Sequence, residues 1–388
     1  MARWASSVVF LAVGVGLSLG AHYFLWARLV RDVGFSPPTT RMLGWLAAAV
    51  ALLVPLAIVS SRFVRPDWSK WWVVPVYFWI GVAVLLILSV LAVGLLRVGC
   101  SAIGLGIDET DAGRRQFVAR VGALVALAIG LSASGWAFLE CRKVRVKRVE
   151  VPLKKLPKAL DGFRIVQLSD LHVGPAIGRK LIEQVVARVN QLAPDLVAIT
   201  GDLVDGSVDD LRHDVAPLAD LSSTHGTYFV TGNHEYHSGA PEWCEHLGKL
   251  GVRVLRNEHV ELGENGNAIH LAGIDDYGSA SFGVGHRPDL PKAVAGRDRS
   301  RALILLAHQP RAVHEAAVHG VDLQLSGHTH GGQLWPLGWI QRLEQPVVAG
   351  LAKLGETFIY VSCGTGFSGP PMRLDAPPEI THIVLRSA

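Results

Sequence analysis

The chain has 388 residues, half of them hydrophobic, and a formal net charge of +4 at pH 7. That length predicts two or three domains, and the mild charge argues against a nucleic-acid partner. A mean hydropathy of +0.32 excludes an ordinary soluble enzyme, so we expect part of the chain to lie in a membrane.

Four long apolar runs lie in the N-terminal third of the chain. A helix of roughly 20 apolar residues crosses about 30 Å of hydrocarbon. Core helices of a large soluble protein are the alternative, but four such runs in a row are more typical of a membrane protein. The first run is too long for the apolar part of a cleaved signal peptide. We predict transmembrane helices near residues 7–27, 43–60, 72–96 and 119–139.

The distribution of Lys and Arg predicts how these helices are oriented. With four spans, both ends of the membrane region face one side, and that side carries more Lys and Arg, mainly at residues 142–148. Positively charged flanks face the cytoplasm. We therefore predict a multi-pass protein of the cell (inner) membrane with a cytoplasmic catalytic domain. Four cysteines without CxxC spacing fit that compartment and indicate no disulfide framework or zinc knuckle.

The composition changes near residue 141, and we predict a four-helix transmembrane region over 1–141 and a soluble domain over 142–388. In the second part, strand-like runs alternate with helical patterns at 178–192 and 310–319. The predicted strands cover 164–168, 196–200, 227–231, 302–307 and 323–325, after an opening edge strand near 144–151. This alternation predicts an α/β domain in which helices cover a sheet.

Five short clusters of polar residues follow these predicted strands. Ligands bind beyond the carboxyl ends of strands in α/β sheets, so we expect the clusters to share one site. Taken singly, each has a structural alternative, such as a solvated loop residue, a turn-forming Gly-Asp or an Asn turn cap. Five in equivalent positions favour a functional site. They are Asp170 and His172, Asp202 and Asp205, Asn233 and His234, His308, and His328 and His330.

The residue types in these clusters indicate metal binding. Carboxylate oxygens and imidazole nitrogens together suit Mn, Fe, Zn or Co better than Ca or Mg. The Asp, His and Asn groups suffice for two divalent metal ions, with one His left for proton transfer. The sequence thus points to metal-assisted cleavage of a phosphate ester.

The five blocks resemble the signature of the calcineurin-like metallophosphoesterase superfamily, which reads D-x-H, G-D-x-x-D, G-N-H-[DE], H and G-H-x-H. The resemblance covers roughly residues 150–388 and is strongest for the membrane-anchored branch with N-terminal transmembrane helices. It is carried by the segments LSDLHVG, TGDLVDG, GNHEYHSG and SGHTHGGQLWP, with Pro377–Ile380 near the end. It implies a two-sheet α/β/β/α sandwich.

The resemblance also implies a role for each clustered residue. Asp202 would bridge two divalent ions. The first ion would be held by Asp170, His172, Asp202 and His330, and the second by Asp202, Asn233, His308 and His328. His234 would act as general acid or phosphate contact, oriented by Asp205. Among the candidate metals, we expect Mn to support activity most readily in an assay.

The expected reaction is hydrolysis of a phosphate mono- or diester or a pyrophosphate by a metal-activated water. An apolar run over Trp335–Ile340 either packs in the local core or forms a lip that admits a lipid tail. Arg342 or Arg373 could then meet a second phosphate. We predict two partners, the lipid bilayer and a phosphate-ester substrate that is a phospholipid or nucleotide-lipid. No nucleic acid and no obligate protein partner is evident.

Two other functions compete with this prediction. One is a phosphodiesterase that acts on a soluble nucleotide. The other is a membrane sensor or transporter with an attached phosphatase domain. The second would need polar groups inside the spans, where His22 and a few Tyr and Ser occur, and so an anchoring role is favoured.

Overall fold

The structure is a computed structural model that describes residues 2–61, 63–105, 111–264, 266–282 and 287–388. The chain divides into two compact units. The first comprises Met1–Phe138 with Gly369–Met372, and the second comprises Leu139–Ser368 with Arg373–Ala388.

Long apolar helices dominate the first unit. They are α1 (Ala2–Trp26, continued by a π-helical turn over Ala27–Arg31), α2 (Pro37–Ser61), α3 (Pro66–Ala102) and α4 (Ala112–Glu140). Each has a described segment that is long and apolar enough to cross a membrane. Large apolar side chains such as Leu17, Trp45 and Leu95 stay exposed on them, as expected of helices surrounded by lipid. The prediction of four apolar membrane helices is confirmed.

Two six-stranded sheets form the centre of the second unit. The first has the order β1-β12-β2-β3-β4-β5 and the second the order β10-β11-β9-β8-β7-β6. Four neighbouring strands in each sheet are parallel, β2 to β5 in the first and β11, β9, β8 and β7 in the second. The bounds are Arg145–Leu153 (β1), Arg164–Leu168 (β2), Leu196–Ile199 (β3), Thr227–Phe229 (β4), Val252–Val254 (β5), Glu258–Glu264 (β6), Asn267–Gly273 (β7), Leu303–Leu306 (β8), Leu323–Ser326 (β9), Gly350–Leu354 (β10), Thr357–Val361 (β11) and Glu379–Ser387 (β12).

Seven helices are present among the described residues of the second unit. Their bounds are Arg179–Gln191 (α5), Val208–Val215 (α6), Asn233–Ser238 (α7), Ala240–Lys249 (α8), Leu290–Ala293 (α9), Val313–Val318 (α10) and Gly338–Gln341 (α11). Helices α5, α6 and α8 cover the outer face of the first sheet, and α9 and α10 cover that of the second. Short 3-10 turns lie at Lys158–Leu160, Ala216–Asp220, Tyr277–Phe282, Pro310–Ala312 and His330–Gly332.

The apolar cores explain why the central strands β3 and β8 are hydrophobic throughout. In β8, Ile304 faces the core between the two sheets, whereas Leu303 and Leu305 face Ala316 of α10 on the outside. Side chains alternate along a strand, so a strand buried on both faces has no polar positions. Burial of each such side chain contributes about 1.5–3 kcal/mol. The predicted two-sheet α/β/β/α domain is confirmed.

The predicted domain limits of 1–141 and 142–388 stay a prediction. In the structure the last apolar helix ends at Glu140 and β1 begins at Arg145. The predicted edge strand is found, since β1 lies at the end of its sheet and pairs with β12.

Candidate metal centre

The carboxyl ends of five parallel strands bring all nine candidate side chains to one place. Loops after β2, β3 and β4 carry those from the first sheet, and loops after β8 and β9 carry those from the second. Three groups of described residues have ligand atoms that all lie within 4.8 Å of one another, and the third of them is His172, Asp205 and His234. The first group is Asp170, His172 and His330, and the second is Asp202, His308 and His328.

The backbone at these positions adopts a conformation that ordinary residues avoid. Nine non-glycine residues in the described part of the chain have positive φ, and five of them are candidate ligands. They are Asp170, His172, Asp202, His328 and His330, with φ between 49° and 72°. Each such residue costs on the order of 1–3 kcal/mol and persists where the surroundings fix it, commonly at functional sites. The contacts of the folded domain therefore hold these five residues in a backbone conformation that is locally unfavourable.

Two glycines allow the loops to approach the carboxylates closely. A Cβ on Gly232 would collide with the Asp202 carboxylate, and one on Gly327 would collide with Ser169 and Asp170. These approaches let backbone amides reach the acids. His234 N donates to Asp202 Oδ1 at 2.9 Å, and His328 N donates to Asp170 Oδ1 at 2.9 Å.

The first group is buried and its nitrogens converge. His172 Nε2 lies 3.0 Å from His330 Nε2, which in turn lies 3.5 Å from Asp170 Oδ1. Burial, followed by the charge of Arg373, holds the pKa of His330 well below its usual range. A neutral imidazole is the form that binds a metal. This group could hold a cation between its three side chains.

The carboxylate of the second group lies near nitrogens of both groups. Asp202 Oδ2 lies 3.2 Å from His308 Nε2 and 3.9 Å from His172 Nε2. His328 Nδ1 lies 3.2 Å from His308 Nε2, and burial lowers the pKa of His328 to about 3. The side-chain oxygen of Asn233 is buried and has no hydrogen-bond partner among the described residues. An oxygen in that state fits a metal ligand, because a buried polar atom is costly unless something binds it.

Hydrogen bonds from Nδ1 orient two of the imidazoles so that their other ring nitrogen, Nε2, points toward the centre. His308 Nδ1 donates to Thr200 O at 2.8 Å, and His172 Nδ1 donates to Asp205 Oδ1 at 3.0 Å. In both rings Nε2 is then the nitrogen that faces the centre. Burial alone would lower the pKa of these rings, but Asp205 at His172 and Asp202 at His308 raise it. The residues present therefore fit a bound divalent cation.

His234 differs from the other histidines because its side chain is one-third exposed. Its Nδ1 lies 2.6 Å from Asp205 Oδ1, and its Nε2 lies 3.9 Å from Asp202 Oδ2. Burial alone would lower the pKa of His234, but the bond to Asp205 and the charge of Asp202 raise it to about 9. These carboxylates favour the protonated form of the ring, which lies next to the centre and is partly exposed.

A buried carboxylate that the sequence did not single out holds the loop of Asp202. Glu235 accepts hydrogen bonds from the backbone amides of Gly232, Asp202 and Leu203 at 2.6, 3.0 and 2.7 Å. Its position in the GNHE block, directly after Asn233 and His234, could have marked Glu235 as a functional residue from the sequence. Charge-assisted bonds of this kind are about twice as strong as neutral ones, so Glu235 fixes the turn that presents Asp202.

Two further residues beside the centre were also missed or misjudged. Asp276 is buried, accepts from Gln309 Nε2 at 2.9 Å, and has a second oxygen without a partner in the described residues. It follows β7, so the strand-end rule could have found it. The expectation that Arg373 meets a phosphate is wrong. Its buried guanidinium donates to the carbonyl oxygens of His330 and Cys363 at 2.8 and 2.7 Å.

The chain is similar to known metallophosphoesterases. The sequence pattern of the calcineurin-like phosphoesterase family matches residues 163–332. A Danio rerio protein described as a transmembrane protein with metallophosphoesterase domain is 36% identical over 397 residues, which cover 98% of this chain and 90% of that protein. An uncharacterized metallophosphoesterase of Helicobacter pylori is 41% identical over 243 residues, 62% of this chain and 64% of that protein. The crystal structure of a dimetal phosphatase from Danio rerio covers 53% of this chain and 88% of its own, with a TM-score of 0.31 and 13% identity.

Proposed function

The chain belongs to the calcineurin-like phosphoesterase family of metal-dependent phosphoester hydrolases, and we propose that it is a membrane-anchored dinuclear enzyme acting on a lipid-linked phosphate ester. The position of Asp202 carries the dinuclear part of the proposal. Its Oδ2 lies within 3.9 Å of His172 Nε2 and 3.2 Å of His308 Nε2. One carboxylate is therefore within reach of both groups of nitrogens.

We assign the candidate ligands to two ions that share Asp202. One ion would be held by Asp170, His172, Asp202 and His330, and the other by Asp202, Asn233, His308 and His328. Bound divalent ions supply Lewis-acid polarisation of phosphoryl oxygens and lower the pKa of a coordinated water. The chain supplies the imidazoles, of which those of His308 and His172 are fixed in orientation by Thr200 and Asp205.

The proton for the leaving group would come from His234. Its Nδ1 is held by Asp205, so the Nε2 proton faces the region beside Asp202. The hydrogen bond to Asp205 and the charge of Asp202 favour the protonated form of this ring. Donation from Nε2 to the ester oxygen would avoid expulsion of an unprotonated alkoxide, and general acids of this kind contribute about 10²–10⁴-fold.

The metal assignment is tested by counting ions. The full chain, purified in detergent and loaded with Mn, is expected to hold two ions by mass spectrometry of the metal content. Asp202→Asn should lose both, whereas the exposed Asp209→Asn on α6 should keep both. A count near two in Asp202→Asn would contradict the shared ligand, and one ion in the unaltered chain would contradict the dinuclear centre.

The lipid-linked substrate is supported by the four apolar helices, which keep the domain beside lipid. The test compares two p-nitrophenyl phosphodiesters, one with a second p-nitrophenyl group and one with a diacylglycerol group, on the full chain in nanodiscs. We expect kcat/KM to be at least about tenfold higher for the diacylglycerol ester, a difference of ~1.4 kcal/mol. Equal values, or a higher value for a soluble nucleotide diester, would favour the soluble nucleotide phosphodiesterase.

We also propose a cytoplasmic catalytic domain in the cell (inner) membrane, supported by the Lys and Arg at residues 142–148. Fusions at Ala388 separate the two sides. A fluorescent protein fused there should be bright and alkaline phosphatase fused there should be inactive. An active alkaline phosphatase fusion would place the domain on the opposite side.

A further inference from the structure

An exposed apolar cluster follows the last candidate ligands. Trp335, Trp339, Ile340 and Leu343 are 56, 68, 63 and 88% exposed. Single exposed apolar residues are ordinary, but four within nine positions, two of them Trp, form a patch that marks an interaction surface. The alternative that this run packs in the local core therefore fails for these side chains.

The backbone beneath the cluster is held firmly, so the exposure is built into the fold. Trp335 N donates to Leu374 O at 3.0 Å, and the neighbouring Leu334 is buried. Gly332 has φ of 88°, and a Cβ there would collide with the backbone of Gly338. This tight turn precedes α11, whose large side chains Trp339 and Ile340 are mostly exposed.

A groove and a cation lie within the same surface. A cavity of about 540 Å³ is lined by Trp335, Trp339, Arg342, Leu374 and Asp375, among others. Arg342 is exposed between Trp339 and Leu343 in the sequence. Tryptophan and arginine together suit the boundary between acyl chains and anionic headgroups, where an indole ring is half apolar and a guanidinium pairs with phosphate.

The chain itself provides such a boundary. The last apolar helix ends at Glu140 and the first strand begins at Arg145. The four intervening residues can span at most about 14 Å when fully extended. The second unit therefore stays close to the bilayer that holds the helices, and a lipid surface is its permanent neighbour at high effective concentration.

We propose that Trp335, Trp339, Ile340, Arg342 and Leu343, here called the docking patch, insert into the headgroup region of that bilayer. The apolar side chains enter the outer acyl region and Arg342 meets lipid phosphate. This contact goes beyond phosphoester hydrolysis and does not depend on it. The contact would also mean that the cavity beside His330, which is lined by the neighbouring Gly331, faces lipid.

Photolabelling from within the membrane tests the proposal. The full chain is placed in nanodiscs, one chain per disc, with phospholipid that carries a diazirine in its acyl chain, and adducts are mapped by peptide mass spectrometry. We expect adducts on the peptide that contains residues 335–343 as well as on the four helices. The combined variant Trp339→Ser, Ile340→Ser, Leu343→Ser should lose at least about five-sixths of the adducts on that peptide. That loss corresponds to ~1 kcal/mol.

Matched variants keep the test decisive. Val318 is 82% exposed at the end of α10, so Val318→Ser removes an equally exposed apolar side chain outside the patch and should leave the labelling unchanged. An unaltered melting temperature shows that the combined variant is folded. If it unfolds, the single variant Leu343→Ser replaces it, because that side chain is the most exposed.

Two results would overturn the proposal. One is an unlabelled docking patch beside labelled helices, which would leave a second copy of the chain as the occupant of the surface. The other is a folded combined variant that labels as strongly as the unaltered chain. Lower labelling of Arg342→Ala in discs with anionic lipid, and not in zwitterionic discs, would support the role given to the guanidinium.

Discussion

Both units of the chain bury polar side chains, but they use them differently. In the membrane helices, Ser89 Oγ donates to Leu85 O at 2.8 Å and Ser134 Oγ donates to Gly130 O at 2.7 Å. These bonds return each hydroxyl to its own helix. In the α/β domain, Asp202 and His308 instead face each other and a common centre. At these two serines a carbonyl of the same helix offsets the free-energy cost of burial, whereas at Asp202 and His308 each side chain offsets it for the other.

This difference in how buried polar groups are paired distinguishes the anchoring role proposed for the helices from the chemical role proposed for the α/β centre. A hydroxyl that donates to its own helix is directed at the backbone and away from a shared centre. The Asn233 oxygen and the second Asp276 oxygen, both buried and without partners among the described residues, are not engaged in this way. We therefore expect substitutions in the α/β centre to change catalysis and equivalent ones in the helices to leave it unchanged.

The largest expected effect comes from the histidine that we assign as proton donor. His234→Asn removes the donor beside Asp202 and leaves the proposed ligands in place. We expect kcat to fall by about 10²–10⁴-fold, with the Mn content unchanged. Stopped assays on bis-p-nitrophenyl phosphate and metal counts on the same preparation measure both.

A matched variant shows whether that loss is specific. His314 is exposed on α10, and His314→Asn should keep the full rate. Full activity in His234→Asn would refute the assignment, and loss of metal in that variant would make His234 a ligand instead.

The loop that presents Asp202 should be the next most sensitive feature. Glu235→Gln keeps the size of the side chain but places an amide N–H₂ among four backbone N–H donors, so at least one bond is lost. A buried donor left unsatisfied costs about 1–3 kcal/mol. We expect a lower melting temperature and a metal affinity weaker by about 10–100-fold.

Isothermal titration with Mn and thermal unfolding measure the two effects of Glu235→Gln. Glu242→Gln in the first turn of α8 is the control, because that carboxylate is exposed. An unchanged Mn affinity in Glu235→Gln would show that the Asp202 loop is held without this clamp.

The sequence predicted the parts of the centre that depend on local pattern. Each apolar run that ends in a polar cluster became a strand, and β2 has the predicted bounds, Arg164–Leu168. Parallel strands then place their carboxyl ends together whatever lies between them. The ligand roles of these residues stay predictions, since no comparison tests them individually.

Other features could not be predicted from the sequence because they depend on contacts between residues that are far apart in the chain. Arg373 donates to His330 O, 43 residues away, and Gln309 donates to Asp276, 33 residues away. No local pattern predicts these pairs. The apolar run over Trp335–Ile340 was undecided for a related reason. Composition alone does not tell a buried run from an exposed one, and the turn at Gly332 decides it.

The smallest effect should come from the membrane helices. His22 is the histidine of these helices, and its Nε2 accepts from Trp79 Nε1 at 2.9 Å while Nδ1 faces Ser18 O at 2.7 Å. Both ring nitrogens are thus engaged within the first unit, as in an anchor. His22→Leu should change kcat/KM by less than about twofold, or ~0.4 kcal/mol, on both p-nitrophenyl diesters in nanodiscs. A tenfold change in kcat/KM, with unaltered protein yield and melting temperature, would contradict a purely anchoring role. A buried intramembrane histidine would then affect hydrolysis in the other unit, as expected of a sensor or transporter coupled to the enzyme.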